Sequence, residues 1–135
     1  MFLTKECDYA IRVIRGLGSG EITSVKNICE NEHIPQQFAY KILKKLEKAG
    51  IVTSHRGSAG GYQLIADLDV LTLFDIVYSI DDDLVINKCL IEGYLCPNNK
   101  EECCKVHHEL KRAQSVLIHT LKENTMNEIL ASEIQ

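Results

Sequence analysis

The N-terminal half of the chain contains three successive segments in which apolar residues recur at helical spacing. The first segment runs from Thr4, a suitable N-cap, to a cluster of glycines at positions 16, 18 and 20. The second starts at Thr23 or Ser24, and the third starts near Pro35 and ends at Gly50. Three short helices with a tight turn between the last two predict a helix-turn-helix.

Two short runs of strand-like composition, IVTSHR and GYQLI, follow the third helix and flank the glycine-rich segment GSAGG. A hairpin in this position predicts the wing of a winged helix-turn-helix. After the hairpin, Thr72 and Asp75 form a capping-box pattern that predicts a fourth helix, whose apolar stripe ends at Ile80.

The C-terminal part combines a cysteine-rich loop with a long helix, predicted from about residue 105 to 122. The apolar positions of this helix are three or four residues apart and form one seam: Val106, Leu110, Ala113, Leu117 and Leu121. Thr125 with Glu128 predicts the cap of a last short helix. The predicted fold class is therefore mostly α with a small β-hairpin, a winged helix-turn-helix followed by a long C-terminal helix.

The composition is that of an ordinary globular protein. The chain has 135 residues, of which 45% are hydrophobic and 25% charged, and this length suits one folding unit with an appendage. Its apolar runs are shorter than a membrane span, and the start MFLTKECDYA lacks the basic and apolar segments of a signal peptide. We therefore expect a cytoplasmic protein without a membrane partner.

The net charge of -4 is unevenly distributed along the chain. Residues 1–66 have nine Lys or Arg and six Asp or Glu, whereas residues 67–135 have six and thirteen. The balance over 35–56 is +4. Because charge that contacts phosphate acts locally, the acidic whole-chain value does not exclude nucleic-acid binding by the N-terminal half.

The third helix has the residues needed for an interface with DNA. Phe38, Ile42, Leu43 and Leu46 are predicted to face the core. Amides near the helix N-terminus can read base edges, and lysines on the outer face can contact phosphate. Arg56 at the wing tip suits the minor groove, and the glycines beside it allow close backbone approach. The candidate DNA-binding residues are Gln36, Gln37, Tyr40, Lys41, Lys44, Arg56, Gly57, Gly60 and Gly61.

Four of the six cysteines lie between positions 89 and 104. In a cytoplasmic chain such clustering favours metal binding or redox chemistry over disulfides. Thiolates bind soft or borderline metals and iron-sulfur clusters, and a loop allows widely spaced cysteines to converge on one cofactor. Zinc is the competing cofactor, but structural zinc sites usually have a short C-x2-C step, which this loop lacks. Cys29 is predicted to be a core residue, whereas Cys7 could lie near the site.

The segments LTKECDYAIR, KILKKLEKAGIV and HRGSAGGY resemble the bacterial iron-sulfur winged-helix transcriptional regulators, the family that includes IscR and NsrR. The similarity covers essentially the whole chain, and the R-G-x-x-G-G-Y wing is its most specific part. The resemblance implies a third helix in the major groove, a wing in the adjacent minor groove, and a homodimer built by the long helix. Two-fold symmetry would then require a palindromic operator in double-stranded DNA.

The resemblance also implies a set of cluster ligands. Three cysteines of the loop would bind a 2Fe-2S or 4Fe-4S iron-sulfur cluster, namely Cys89, Cys96 and Cys104, with Cys103 as the alternative third ligand. The spacings are slightly longer than is usual in the family. The fourth ligand would be His107, or Asp8 from helix one of the partner subunit. Alternatively, Asp8 pairs with Arg12 four residues later, and His107 is an ordinary exposed helix-start residue.

We therefore expect three regions: a DNA-binding domain at 1–80, a cofactor loop at 81–104, and the dimerisation and C-terminal helices at 105–135. The predicted function is that of a DNA-binding repressor whose operator affinity depends on an iron-sulfur cluster sensing iron, redox state or nitric oxide. A cluster-free or thiol-based repressor and an iron-sulfur electron carrier are the alternatives. An enzyme is not expected, because the sequence offers no nucleophile-base pair and no phosphate-cradling loop.

Overall fold

Three helices form the first layer of the fold, as the apolar spacing predicted. The computed structural model of the protein describes residues 3–98 and 103–131. Helix α1 (Lys5–Gly16) is capped by Thr4, α2 (Val25–Glu32) is capped by Ser24, and α3 (Gln36–Lys48) follows Pro35. His33 adopts a left-handed conformation in the turn between α2 and α3, and Gly50 does so after α3.

The predicted wing is an antiparallel hairpin of β1 (Val52–His55) and β2 (Gly61–Leu64). Its register pairs Val52 with Leu64 and His55 with Gly61. Thr23, just before α2, adds a bridge to Tyr62, with reciprocal N–H to carbonyl bonds of 2.9 Å. The wing is therefore fixed to the helix-turn-helix on its β2 side.

The C-terminal helices also match the expected elements. Helix α4 (Leu73–Ile80) begins at a complete capping box between Thr72 and Asp75. A short 3-10 helix (Lys88–Leu90) follows, then α5 (Lys105–Glu123) and α6 (Met126–Ala131). The side chain of Glu128 accepts the Thr125 N–H at 2.8 Å, which confirms the last cap. The described helices include none that is long and apolar enough to cross a membrane.

One hydrophobic core joins α1 to α4 and the hairpin, and Met126 of α6 is buried in it. The predicted inner face of α3 needs one correction: Ile42, Leu43 and Leu46 are buried, but Phe38 is only half-buried and Ala39 is fully buried. Phe38 packs against Tyr9 at the edge of the core, with ring centroids 5.5 Å apart. The small Ala39 lies where α3 approaches its neighbours closely.

The predicted seam of α5 is covered by the core over only part of its length. Leu117 and Leu121 pack against the core, whereas Val106 and Ala113 are exposed. Every residue of α5 is exposed or half-buried in the single chain. Val106 is 67% exposed and Val116 55% exposed, so the helix presents an apolar outer face.

Candidate nucleic-acid interface and cysteine loop

The outer face of α3 displays the polar residues that the sequence suggested for DNA contact. Gln36, Gln37, Tyr40, Lys41 and Lys44 are all exposed. Their exposure follows from the burial of the opposite face, because a helix with one apolar stripe turns the remaining side chains to solvent. The amides lie at the start of the helix and the lysines follow along its length.

The wing lies beside α3 and is held to it by a carboxylate that sequence inspection missed. Glu47 of α3 accepts two hydrogen bonds through Oε1, from the Ser54 backbone N–H at 3.1 Å and from Ser54 Oγ at 2.7 Å. Burial raises the pKa of Tyr62 on β2, and the nearby charge of Glu47 adds to this effect. The contacts place β1 against α3 and leave Arg56 exposed at the tip of the hairpin.

The wing glycines have internal structural roles. A Cβ at Gly60 would lie 2.3 Å from the His55 carbonyl oxygen, and one at Gly61 would lie 2.1 Å from the Thr23 carbonyl oxygen. Gly57 has a φ of +105°, which L side chains rarely adopt. Tight turning and the Thr23 bridge therefore account for these glycines, whether or not DNA approaches them.

A second side-chain contact reaches the wing from the loop after α1. Gln63 Nε2 donates to the Gly20 carbonyl at 2.9 Å, and Gln63 Oε1 lies 2.9 Å from His55 Nε2. The wing is thus supported from α3 on one strand and from the α1–α2 loop on the other. Such support favours a fixed angle between α3 and the wing.

Glu6 of α1 was not singled out by the sequence, because its partners lie 35 and 39 residues away. Its Oε1 is 2.6 Å from Lys41 Nζ and its Oε2 is 3.0 Å from Lys45 Nζ. Hydrogen bonds from Lys41 and then Lys45 lower the pKa of Glu6, so its carboxyl stays ionised at neutral pH. Lys41, a candidate phosphate contact, therefore already has an acidic partner.

The cysteine loop connects α4 to α5. Cys89 lies in the 3-10 helix, which packs on α5, and Cys104 is the N-cap of α5. The Cys104 thiol accepts the His107 backbone N–H at 3.4 Å. Cys96 is half-buried and Cys103 is exposed, while residues 99–102 of the predicted loop and 132–135 of the predicted last region lie outside the described residues.

The described residues do not assemble into a finished metal site. Across 3–98 and 103–131, no three His, Cys, Asp or Glu side chains come close enough to hold a metal ion. The donor types nevertheless suit an iron-sulfur cluster, since three thiols and an imidazole lie on two packed elements and the loop that joins them. His107 Nδ1 is buried and has no hydrogen-bond partner within the described part of the chain, so this nitrogen is left to bind something else.

The alternative fourth ligand, Asp8, has a partner in the single chain. Its Oδ2 lies 3.1 Å from Arg12 NH2, the i,i+4 ion pair considered from the sequence. Cys7 is fully buried, and its sulfur accepts a hydrogen bond from Thr4 Oγ1 at 3.3 Å, as in a core residue. Cys29 is half-buried against the core, as predicted.

Residues 3–132 match the profile of the Rrf2 family, described as iron-dependent transcriptional regulators. NsrR of Bacillus subtilis, an HTH-type transcriptional regulator, is 27% identical over 98% of this chain and 92% of its own length.

Two solved structures share the fold. The global cysteine regulator CymR of B. subtilis superposes with a TM-score of 0.74 and 21% identity, covering 98% of each chain. IscR of T. potens gives 0.72 and 18%, covering 98% of this chain and 88% of its own. The named relatives are transcriptional regulators and not enzymes. The chain is a member of the Rrf2 family of transcriptional regulators.

Proposed function

We propose that this regulator binds a palindromic operator as a homodimer and represses transcription, with its affinity controlled by an iron-sulfur cluster on the cysteine loop. The observation that carries the DNA-binding part is the exposed face of α3 beside a wing held by Glu47 and Thr23. Amides at the start of α3 would read bases in the major groove, and Arg56 would enter the minor groove.

The exposed apolar face of α5 supports the homodimer. Val106, Ala113 and Val116 lie on one side of the helix at spacings of seven and three residues. Exposed apolar side chains on one side of a helix are typical of a helix that packs against another copy of itself. Two copies related by a two-fold axis would present two α3 helices and two wings to the operator.

The proposed ligands of the cluster are Cys89, Cys96, Cys104 and His107. The Nδ1 of His107, which has no partner among residues 3–98 and 103–131, supports the imidazole over Asp8, whose carboxylate is paired with Arg12. A bound cluster would supply iron that reacts with oxidants or nitric oxide. In the protein itself, α4 packs on α1 and α3 on one side and on α5 on the other, so a shift of the loop between α4 and α5 reaches the DNA-binding half.

A cluster-free regulator whose cysteines act as thiols is the second candidate. One observation favours it: Cys103 is exposed beside Cys104. The two candidates share the same DNA-binding surface and differ only in what the cysteine loop responds to.

Iron and sulfide content and the absorption spectrum of anaerobically purified protein decide between the two candidates. Stoichiometric iron and sulfide with visible absorption support the cluster, whereas protein without either supports the thiol regulator. Selection of genomic fragments by the same sample, followed by gel shifts, tests DNA binding. Failure to enrich any sequence would contradict the proposed function in both forms.

His107→Ala tests the fourth ligand, with His108→Ala as the matched neighbouring control. We expect the first variant to lose iron or change the spectrum and the second to keep the wild-type spectrum. Asp8→Asn should also leave the spectrum unchanged. Loss of iron in Asp8→Asn alone would assign the ligand to Asp8 instead.

A further inference from the structure

The Glu6 carboxylate binds two lysines of the recognition helix at once. Lys41 and Lys45 are one helical turn apart on α3, and each is held by a different oxygen of Glu6, at 2.6 and 3.0 Å. Glu6 belongs to the first turn of α1, so the contact crosses the interface between α1 and α3. One acidic residue thereby neutralises part of the positive surface that was expected to face DNA.

The two lysines differ in what else holds them. Lys45 is 35% exposed and also donates to the Ile80 carbonyl at 3.1 Å, so it ties α3 to the end of α4. Lys41 is 58% exposed and lies on the outer face with Tyr40 and Lys44. Lys45 therefore has a structural role. Lys41 is the lysine that would be available to contact a phosphate if it were not paired with Glu6.

We propose that Glu6 sets the sequence-independent DNA affinity of this regulator by pairing with Lys41. This inference rests on the proposed DNA-binding function. Each lysine that neutralises a phosphate releases counterions and adds about 0.9 to the slope of log affinity against log salt. With Lys41 paired to Glu6, the balance of +4 over residues 35–56 overstates the charge that DNA meets. Because a phosphate contact acts alike on every sequence, the pairing lowers the affinity for operator and random DNA together.

The test is a salt titration of binding to a duplex of random sequence. Glu6→Gln should tighten binding about two- to fivefold at low salt, the effect of freeing one exposed ion-pair partner. It should also steepen the salt slope by about 0.9. Glu30→Gln, which makes the same charge change in α2 at a residue near Lys26, should leave the slope at the wild-type value.

Two lysine variants keep the test decisive even if Glu6→Gln lowers stability. Lys44→Ala should reduce the slope by about 0.9, whereas Lys41→Ala should change it little because its charge is already paired. In the Lys41→Ala background, Glu6→Gln should then steepen the slope less than it does in the wild type, because only Lys45 is left to be freed. Equal reductions of the salt slope in Lys44→Ala and Lys41→Ala would overturn this inference but not the proposed function. A wild-type slope in folded Glu6→Gln would have the same consequence. Absence of DNA binding by every variant and by the wild type would overturn the proposed function as well.

Discussion

At the scale of single residues, several side chains have roles that only the folded chain explains. Cys29 was predicted to be a core residue, and burial together with the charge of Glu30 raises the pKa of its thiol. His107 differs from Cys29, because its Nδ1 is buried and has no hydrogen-bond partner among the described residues. A thiol whose charged form is disfavoured and an imidazole nitrogen without a described partner therefore differ in chemical availability.

The raised pKa of Cys29 predicts slow alkylation. Since the folded protein disfavours the thiolate, the midpoint of its pH-rate profile should lie above that of an ordinary cysteine, about 8.5. The related contribution to stability is present below the pKa of the unfolded thiol and is lost as pH rises through the folded value. Mass spectrometry of iodoacetamide-treated protein, with the same cysteine in urea-unfolded protein as the reference, measures the profile. Equal profiles for Cys29 in the folded and unfolded protein would contradict the prediction.

Gly61 provides a second prediction at the residue scale. An added Cβ would overlap the Thr23 carbonyl, so Gly61→Ala should break the Thr23–Tyr62 bridge or push the hairpin aside. We expect a loss of roughly 1–3 kcal/mol in the free energy of unfolding. Urea denaturation measures it, with Ser58→Ala at the exposed wing tip as the control. Equal midpoints for the two variants would show that the backbone contact is dispensable.

At the scale of elements, local patterns were sufficient to predict most of the fold. The capping pairs Thr72–Asp75 and Thr125–Glu128 form as expected, and Gly50 follows the end of α3. These features depend on residues close in sequence. Ala39 in the core, the Glu47–Ser54 contact and the Glu6–Lys41 pair depend on how elements meet, which periodicity does not report.

The Glu47–Ser54 contact predicts how the wing depends on α3. Glu47→Ala removes the acceptor of two hydrogen bonds, whereas Glu47→Gln removes the same charge but keeps a side-chain oxygen. If the contact fixes the wing, the alanine variant should bind the operator several-fold more weakly than the glutamine variant at the same salt. Fluorescence anisotropy measures both affinities. Indistinguishable affinities would mean that the wing angle is fixed by other contacts.

The outer face of α5 predicts the oligomeric state. Val116→Lys places a charge in the exposed apolar strip, where it would be buried in a dimer, and should shift the protein toward monomer. Ser115→Lys, one residue earlier on a different face of the helix, should leave the dimer intact. Sedimentation equilibrium, with circular dichroism to confirm folding, tests both variants. A dimeric Val116→Lys protein would exclude this strip as the interface.

At the scale of the whole molecule, α4 connects the winged helix-turn-helix to the cysteine loop. This helix packs on α1 and α3 and also on α5, and the Ile86 N–H on the intervening loop donates to Gln114 Oε1 of α5 at 3.0 Å. The fold and the exposure of the polar face of α3 could be predicted from one chain. The proposed cluster ligands could be named by residue type, but how the loop would bring them together does not follow from their spacing.

The operator affinity of anaerobically purified protein, measured at fixed salt before and after iron chelation, tests the central claim most directly. The account predicts a measurable change in affinity on iron removal, with the affinity of the chelated protein matched by Cys104→Ser. It also predicts that binding to random-sequence DNA changes much less, because the α3 lysines remain in place. An operator affinity that is the same with and without iron would contradict cluster control.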